Sequence, residues 1–159
     1  MAVLTHFAAA ALLGFLAVLL TVAAVSDFRS RTIGNRLNLT IALSAPLYWW
    51  SVGLPIWPGA GIQLALALAV FAVFALLFFL GGMGGGDVKL ATALALWFAP
   101  LEMLGLVLLM SIAGAPVSLA AWADHRRTGR PGRVKVPYGI AIALGALPIL
   151  AQRYLNQFG

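Results

Sequence analysis

The sequence predicts an all-α integral membrane protein with about six transmembrane helices, forming one transmembrane domain over residues 1–159. Three observations carry that prediction. The composition is 63% hydrophobic and only 9% charged, with a mean hydropathy of +1.03, whereas a soluble domain of this length carries far more charge. Apolar runs near the ~20 residues needed to cross a bilayer core recur along the chain. The basic residues sit in short gaps between those runs, as membrane topology requires. That distribution also argues against nucleic acid as a partner, despite a net charge of +6 and a pI near 10.9. The chain has no cysteine, which excludes disulfides and cysteine-based zinc sites.

The elements follow in order. Residues 7–25 are an unbroken uncharged run and give the first span. No Lys or Arg precedes it, so it reads as a retained helix and not as a cleaved signal peptide. It stops at a polar connection, residues 26–36, holding Asp27, Arg29, Arg31 and Arg36. Residues 37–54 make the second span, interrupted by Pro46 and carrying Tyr48, Trp49 and Trp50 near its far end, where aromatics suit an interface. Residues 55–61 form an uncharged turn, and residues 62–80 form the third span. Residues 88–99 are short for a crossing, so the fourth span starts inside the glycine-rich stretch before it and is partly embedded in protein. Pro100 and Glu102 mark a tight turn, with Glu102 read as a solvated residue. Residues 103–122 are the fifth span, with Gly114 and Pro116 as kink or packing points. A basic loop over 124–135 leads to a short sixth span, residues 136–151, and Arg153 begins the tail.

With six spans, the gaps after the first, third and fifth share one side. They hold Arg29, Arg31, Arg36, Lys89, Arg126, Arg127, Arg130, Arg133 and Lys135, nine of the ten basic residues. The positive-inside rule makes that side cytoplasmic and puts both termini outside.

Gly84-Gly85-Gly86-Asp87-Val88-Lys89-Leu90 is the stretch with the most chemistry in it. A charged side chain beside so much hydrocarbon costs roughly 2.5–3.5 kcal/mol on insertion scales, so such a residue is a functional candidate by default. Glycine weakens a helix by about 1 kcal/mol and permits backbone shapes closed to other residues. Irregular backbone is tolerated in a membrane only where it lines a cavity or is buried in protein. Of the four acids, Asp27, Asp87 and Asp124 fall on the cytoplasmic side and Glu102 on the other. Asp27 lies where the first span ends and Asp87 where the fourth begins, so packing those helices together brings two carboxylates to one membrane boundary. Close carboxylates cannot both ionise easily and share a proton. One can then deprotonate a water while the other polarises a peptide carbonyl, which is the chemistry of an aspartyl protease, the pair titrating as a unit. Gly84, Gly85 and Gly86 would let a substrate backbone approach closely. Lys89 and Asn35 are further candidates for positioning, beside plainer roles as a snorkelling cation and a helix cap.

Gly84-Gly85-Gly86-Asp87 matches the GxGD motif of intramembrane aspartyl proteases, and Val88-Lys89-Leu90 extends it to the version found in prepilin peptidases. Asp27, Arg29, Ile33 and Asn35 resemble that family's first-aspartate segment, with Gly34 where the family usually has proline. Lys135-Val136-Pro137-Tyr138-Gly139-Ile140-Ala141 resembles the segment opening the last span of its short members. The resemblance implies a peptidase of the bacterial inner membrane. It would use Asp27 and Asp87, need no metal or cofactor, and cut the basic leader of type IV pilin-like precursors at the cytoplasmic face. The short form is similar to the peptidases of Flp or tight-adherence pili. Longer relatives carry a cytoplasmic region with paired cysteines and an N-methyltransferase activity, which is not expected of this chain. Archaeal preflagellin peptidases share the motifs.

Plainer readings stand beside these. Asp87 can merely cap the fourth helix, Asp27 can be an interfacial residue balanced by Arg29 or Arg31, and the basic loop can be only a topology signal or a contact for anionic lipid. Tyr138 packs at the interface or bonds near the site; Asn38, like Asn35, caps its helix or positions the loop. His6 and His125 lie on opposite sides and cannot share a metal. A proton-coupled transporter is the main rival class. It lacks ionisable groups near the midplane and any visible inverted repeat. A small assembly scaffold is the blandest option. The oligomeric state is left open by the sequence.

Overall fold

The computed structural model describes residues 2–128 and 136–158. Among them are six α-helices and no strand: α1 (Ala2–Ser30), α2 (Asn35–Ser51), α3 (Gly61–Phe79), α4 (Gly85–Ala95), α5 (Pro100–Thr128) and α6 (Tyr138–Phe158), with a short helical turn at Ile56–Ala60 between α2 and α3. Arg130, Arg133 and Lys135 lie outside the described residues.

Each helix coincides with one of the six apolar runs, but the lengths differ from a bundle of six equal spans. Four helical stretches, Leu4–Ser30, Ile56–Phe79, Pro100–Thr128 and Tyr138–Asn156, are long and apolar enough to cross a bilayer. α2 has 17 residues. α4 has only 11, a rise of about 16 Å at 1.5 Å per residue, roughly half the ~30 Å hydrocarbon thickness. The glycines that open α4 and the turn before Pro100 that closes it leave no room for more.

The helix ends have local causes. α1 stops where Arg31 takes a left-handed conformation, φ 53°, and its amide bonds back to Asp27 O at 2.9 Å. α3 stops at Gly81, φ 76°. There Gly82 N donates to Leu77 O and Gly81 N to Phe78 O, both at 2.9 Å, the paired bonds of a glycine-terminated helix.

α4 sits at the centre. It packs against α2, α3 and α6 and touches α5, while α1 closes the group by packing on α2 and α6. α3 rests mainly on α4, and α5 mainly on α6. Leu90, Ala91, Leu94 and Ala95 of α4 are fully buried together with Leu16 and Leu20 of α1, Ile41 of α2 and Ile142 of α6. The outer surfaces of α3 and α5 expose Leu64, Leu68, Phe71, Leu104, Leu108 and Ile112, as lipid-facing helices must, since hydrocarbon solvates both kinds of surface alike.

The end of α4 remote from Asp87 is pinned by polar contacts. Trp97 Nε1 donates to Ile41 O at 2.8 Å and Trp49 Nε1 to Leu96 O at 2.7 Å. Arg153 Nη1 donates to Trp97 O at 2.8 Å. Glu102, expected to be a solvated turn residue, instead pairs with the Arg153 guanidinium through both carboxylate oxygens. It also accepts the Ala99 amide at 2.7 Å, a side chain in the first turn of α5 satisfying the amide just before the helix. Sequence separation of 51 residues hid the pairing.

Candidate functional site

Asp27 lies in the last turn of α1, and the connection after it is tied down locally. Ser26 Oγ donates to Thr32 O at 2.8 Å and Ser30 Oγ pairs with Thr32 Oγ1 at 2.9 Å. Gly34 is extended, φ −64° and ψ 141°, and α2 begins directly after it. This short loop aims Ile33 inward, where it is 7% exposed.

Asp87 lies in the first turn of α4, after an extended Gly84 with φ −79° and ψ 146°. Its amide donates to Gly84 O at 3.1 Å. Its side chain folds back over Gly84, so close that a Cβ there would lie 2.8 Å from Asp87 Oδ2, and it interacts with the Gly84 backbone amide. Asp87 thus lies over the backbone just before α4 from inside the first turn, and not at the preceding position, which Gly84 holds.

The two acids come together against the start of α6. Gly139 N donates to Asp27 Oδ2 at 2.8 Å, the same amide interacts with Asp87, and the two carboxyl groups interact with each other. Both side chains are buried, Asp27 at 4% and Asp87 at 6% exposure. Arg31 is near enough to act on the charge of Asp27.

The glycines have tight surroundings. A Cβ on Gly139 would stand 2.7 Å from Ile33 Cδ1, 2.9 Å from Asp27 Oδ2 and 3.0 Å from Asp27 Cβ. One on Gly86 would meet Ile33 Cβ, N and O, each at 3.3 Å, and one on Gly85 would meet the Phe78 ring at 3.4 Å. The chain's own atoms thus occupy the space against Gly84, Gly85 and Gly86. Ile33 is a wedge between α4 and α6. Real side-chain carbons do not approach so closely without displacing a neighbour.

Lys89 Nζ donates to Asn35 Oδ1 at 2.8 Å on the exposed edge of the α2–α4 seam. One turn further along α2, Asn38 Nδ2 donates to Gly86 O at 3.2 Å. Asn38 is 5% exposed, and its Oδ1 is buried with no hydrogen-bond partner, a condition costing about 1–3 kcal/mol. Gly139, Ile33 and Asn38 are the contacts that sequence reasoning did not assign to the site. Gly139 and Ile33 were visible only as parts of family-like segments, and nothing in a sequence shows that Asn38 reaches Gly86, 48 positions away.

Two buried carboxyl groups on one amide, the second introduced by GxGD, agree with a comparison of the chain with known proteins. The model of the type IV leader peptidase family matches residues 14–119. The chain belongs to that family. The matched region includes Asp27 and Asp87 and ends before Gly139. The prepilin leader peptidase/N-methyltransferases of Burkholderia pseudomallei strains 1026b and K96243 are each 29% identical over 154 residues. That similarity covers 90% of this chain but 46% of theirs, so the chain spans under half the length of these relatives. No solved structure matches. Family membership together with four apolar helices of crossing length makes this a multi-pass membrane protein.

Proposed function

We propose that this chain is a membrane-embedded aspartyl endopeptidase that removes the basic leader of type IV pilin-like precursors, with Asp27 and Asp87 as its catalytic pair. The observation that carries the reading is the meeting of these two carboxyl groups, from helices sixty positions apart in sequence, beside the single amide of Gly139. One carboxylate takes a proton from a water while the protonated partner gives its own to the carbonyl oxygen of the scissile peptide. The resulting tetrahedral diol collapses: its C–N bond breaks, the leaving nitrogen takes a proton from one member of the pair, and a diol hydroxyl gives its proton to the other as the new carboxyl group forms, which restores the starting state. Gly84, Gly85 and Gly86 hold the Asp87 segment in its tight conformation, and Lys89 with Asn35 fastens its outer edge.

The gathering of basic residues in alternate gaps supports an inner-membrane protein with this site at the cytoplasmic face. The resemblance to short family members supports a substrate of the Flp type. Only peptidase activity is assigned to these 159 residues. The name of the relatives includes methylation, and the lack of any cysteine here supports leaving it out.

The test uses the whole chain, purified in detergent and given a synthetic pilin-precursor peptide containing the leader and the start of its apolar helix. Asp27→Asn and Asp87→Asn should each reduce cleavage by about three orders of magnitude or more, as loss of a member of a catalytic unit does, while the protein still elutes and melts as folded. Cleavage by either variant at the unaltered rate sinks the mechanism. Proton flux in proteoliposomes without peptide cleavage would favour a transporter instead.

A further inference from the structure

Side-chain hydrogen bonds join α2 to α4 and to Leu96 and Trp97 just after it. Two hold the end remote from the acids, Trp97 to Ile41 and Trp49 to Leu96. Lys89 to Asn35 lies at the exposed edge. The remaining one, Asn38 Nδ2 to Gly86 O, is inside, next to the residue that precedes Asp87.

That bond is peculiar in its energetics. Gly86 is in the first turn of α4, where its carbonyl is already directed at the helix's own amide four residues on, so the carbonyl does not require Asn38. Asn38 for its part leaves Oδ1 buried and unpartnered. A leucine of nearly the same size would satisfy packing and remove the orphaned acceptor, and replacing polar groups by apolar ones of the same shape is often neutral or stabilising. Stability alone therefore gives no reason for an asparagine here. What the amide does supply is a fixed lateral position for Gly86, pressed from another side by Ile33. Held between Ile33 and Asn38, Gly86 ties the first turn of α4 to the loop before α2 and to α2 itself, and with it the place of Asp87 beside Asp27 and Gly139.

We propose that Asn38 is a positioning residue that sets the alignment of the Asp87 carboxyl with Asp27 through the carbonyl of Gly86, at no benefit to stability. The proposal rests on the peptidase reading for its kinetic arm but not for its spectroscopic one. Asn38→Leu should melt at the same temperature as the unaltered chain or higher. It should cleave the pilin-precursor peptide at least tenfold more slowly in kcat with little change in KM, and the acid side of its pH–rate profile should move, because the spacing of the two carboxyl groups sets their shared titration. Ile41→Val, a buried neighbour on the same helix, should lower the melting temperature and leave kcat per folded molecule within about twofold. The second arm is infrared. The carboxyl band lost in Asp87→Asn should shift in Asn38→Leu, whether or not the peptide is a substrate. An unshifted band with unchanged kcat, or a kcat loss that merely follows a lower melting temperature, overturns the assignment. Failure of the peptidase reading looks different: Asp27→Asn and Asp87→Asn would cleave normally while the infrared shift persisted.

Discussion

Asp87 and Glu102 stand at opposite ends of the α4 segment and make the same local move. Each lies in the first turn of its helix and turns back toward the residue just before it: Glu102 accepts the Ala99 amide, and Asp87 lies over Gly84. Their other partners differ. Glu102 is matched by a guanidinium that also binds Trp97 O and lies over the rings of Tyr48 and Phe98. Asp87 is matched by a second carboxyl group and a glycine amide. The far end thus neutralises its charge and fixes a turn, whereas the near end brings two buried carboxyl groups together on the Gly139 amide. An arrangement of the second kind is unfavourable for folding and suited to proton transfer. Capping explains the backbone contact and the surroundings of Glu102, but not the surroundings of Asp87.

The contrast yields predictions of decreasing size. Gly139→Ala is the largest: a methyl group 2.7–3.0 Å from Ile33 and Asp27 must push one of them aside. Overpacking of this kind costs about 1–3 kcal/mol, and a displacement of the reacting groups near 1 Å costs about 10²-fold in rate. Peptide cleavage per folded molecule, measured beside the melting temperature, should show both losses; an unaltered rate would separate Gly139 from the pair. Arg153→Gln comes next. It strands Glu102 and the Trp97 carbonyl in a half-buried site and should lower stability by about 1–3 kcal/mol, read from denaturation in detergent. Its rate per folded molecule should fall much less than in Gly139→Ala, and an equal fall would mean that the two ends of α4 are not distinct in function. Lys89→Ala is the smallest. Its bond to Asn35 is exposed, and such contacts are worth well under 1 kcal/mol, so rate and stability should both stay within about twofold; a tenfold loss in kcat would give Lys89 a direct part in the site.

Much of this architecture was legible from residue order. Six apolar runs gave six helices because hydropathy reports directly on transfer to hydrocarbon. The shortness of α4 showed in the interval between Gly86 and Pro100. That Asp27 and Asp87 could meet was legible, since both read as lying at one membrane boundary; that they do was not, and the side-by-side packing of their helices is not how it happens, because α1 packs on α2 and α6. Lateral neighbours within the plane were not legible. That α6 delivers Gly139 to Asp27, that Asn38 holds Gly86, and that Arg153 finds Glu102 depend on which helix packs beside which. In an all-apolar bundle periodicity is faint, because lipid and core accept the same side chains. The glycines of the motif illustrate the limit: their need for close approach was plain, but the groups packed against them belong to the same chain, Asp87 at Gly84, Phe78 at Gly85 and Ile33 at Gly86.

The brevity of α4 has a consequence for how the site is suspended. A helix reaching both faces of a bilayer takes its depth from two aqueous boundaries and tilts when the lipid thins or thickens. α4 is only about half that long, and the residues just after it are tied to the neighbouring helices: Trp97 donates to Ile41 O of α2, and Leu96 O and Trp97 O accept from the Trp49 indole of α2 and the Arg153 guanidinium of α6. The place of Asp87 is therefore set by contacts within the protein at both ends of α4, which ties the acid to its counterpart and not to the lipid around the longer helices.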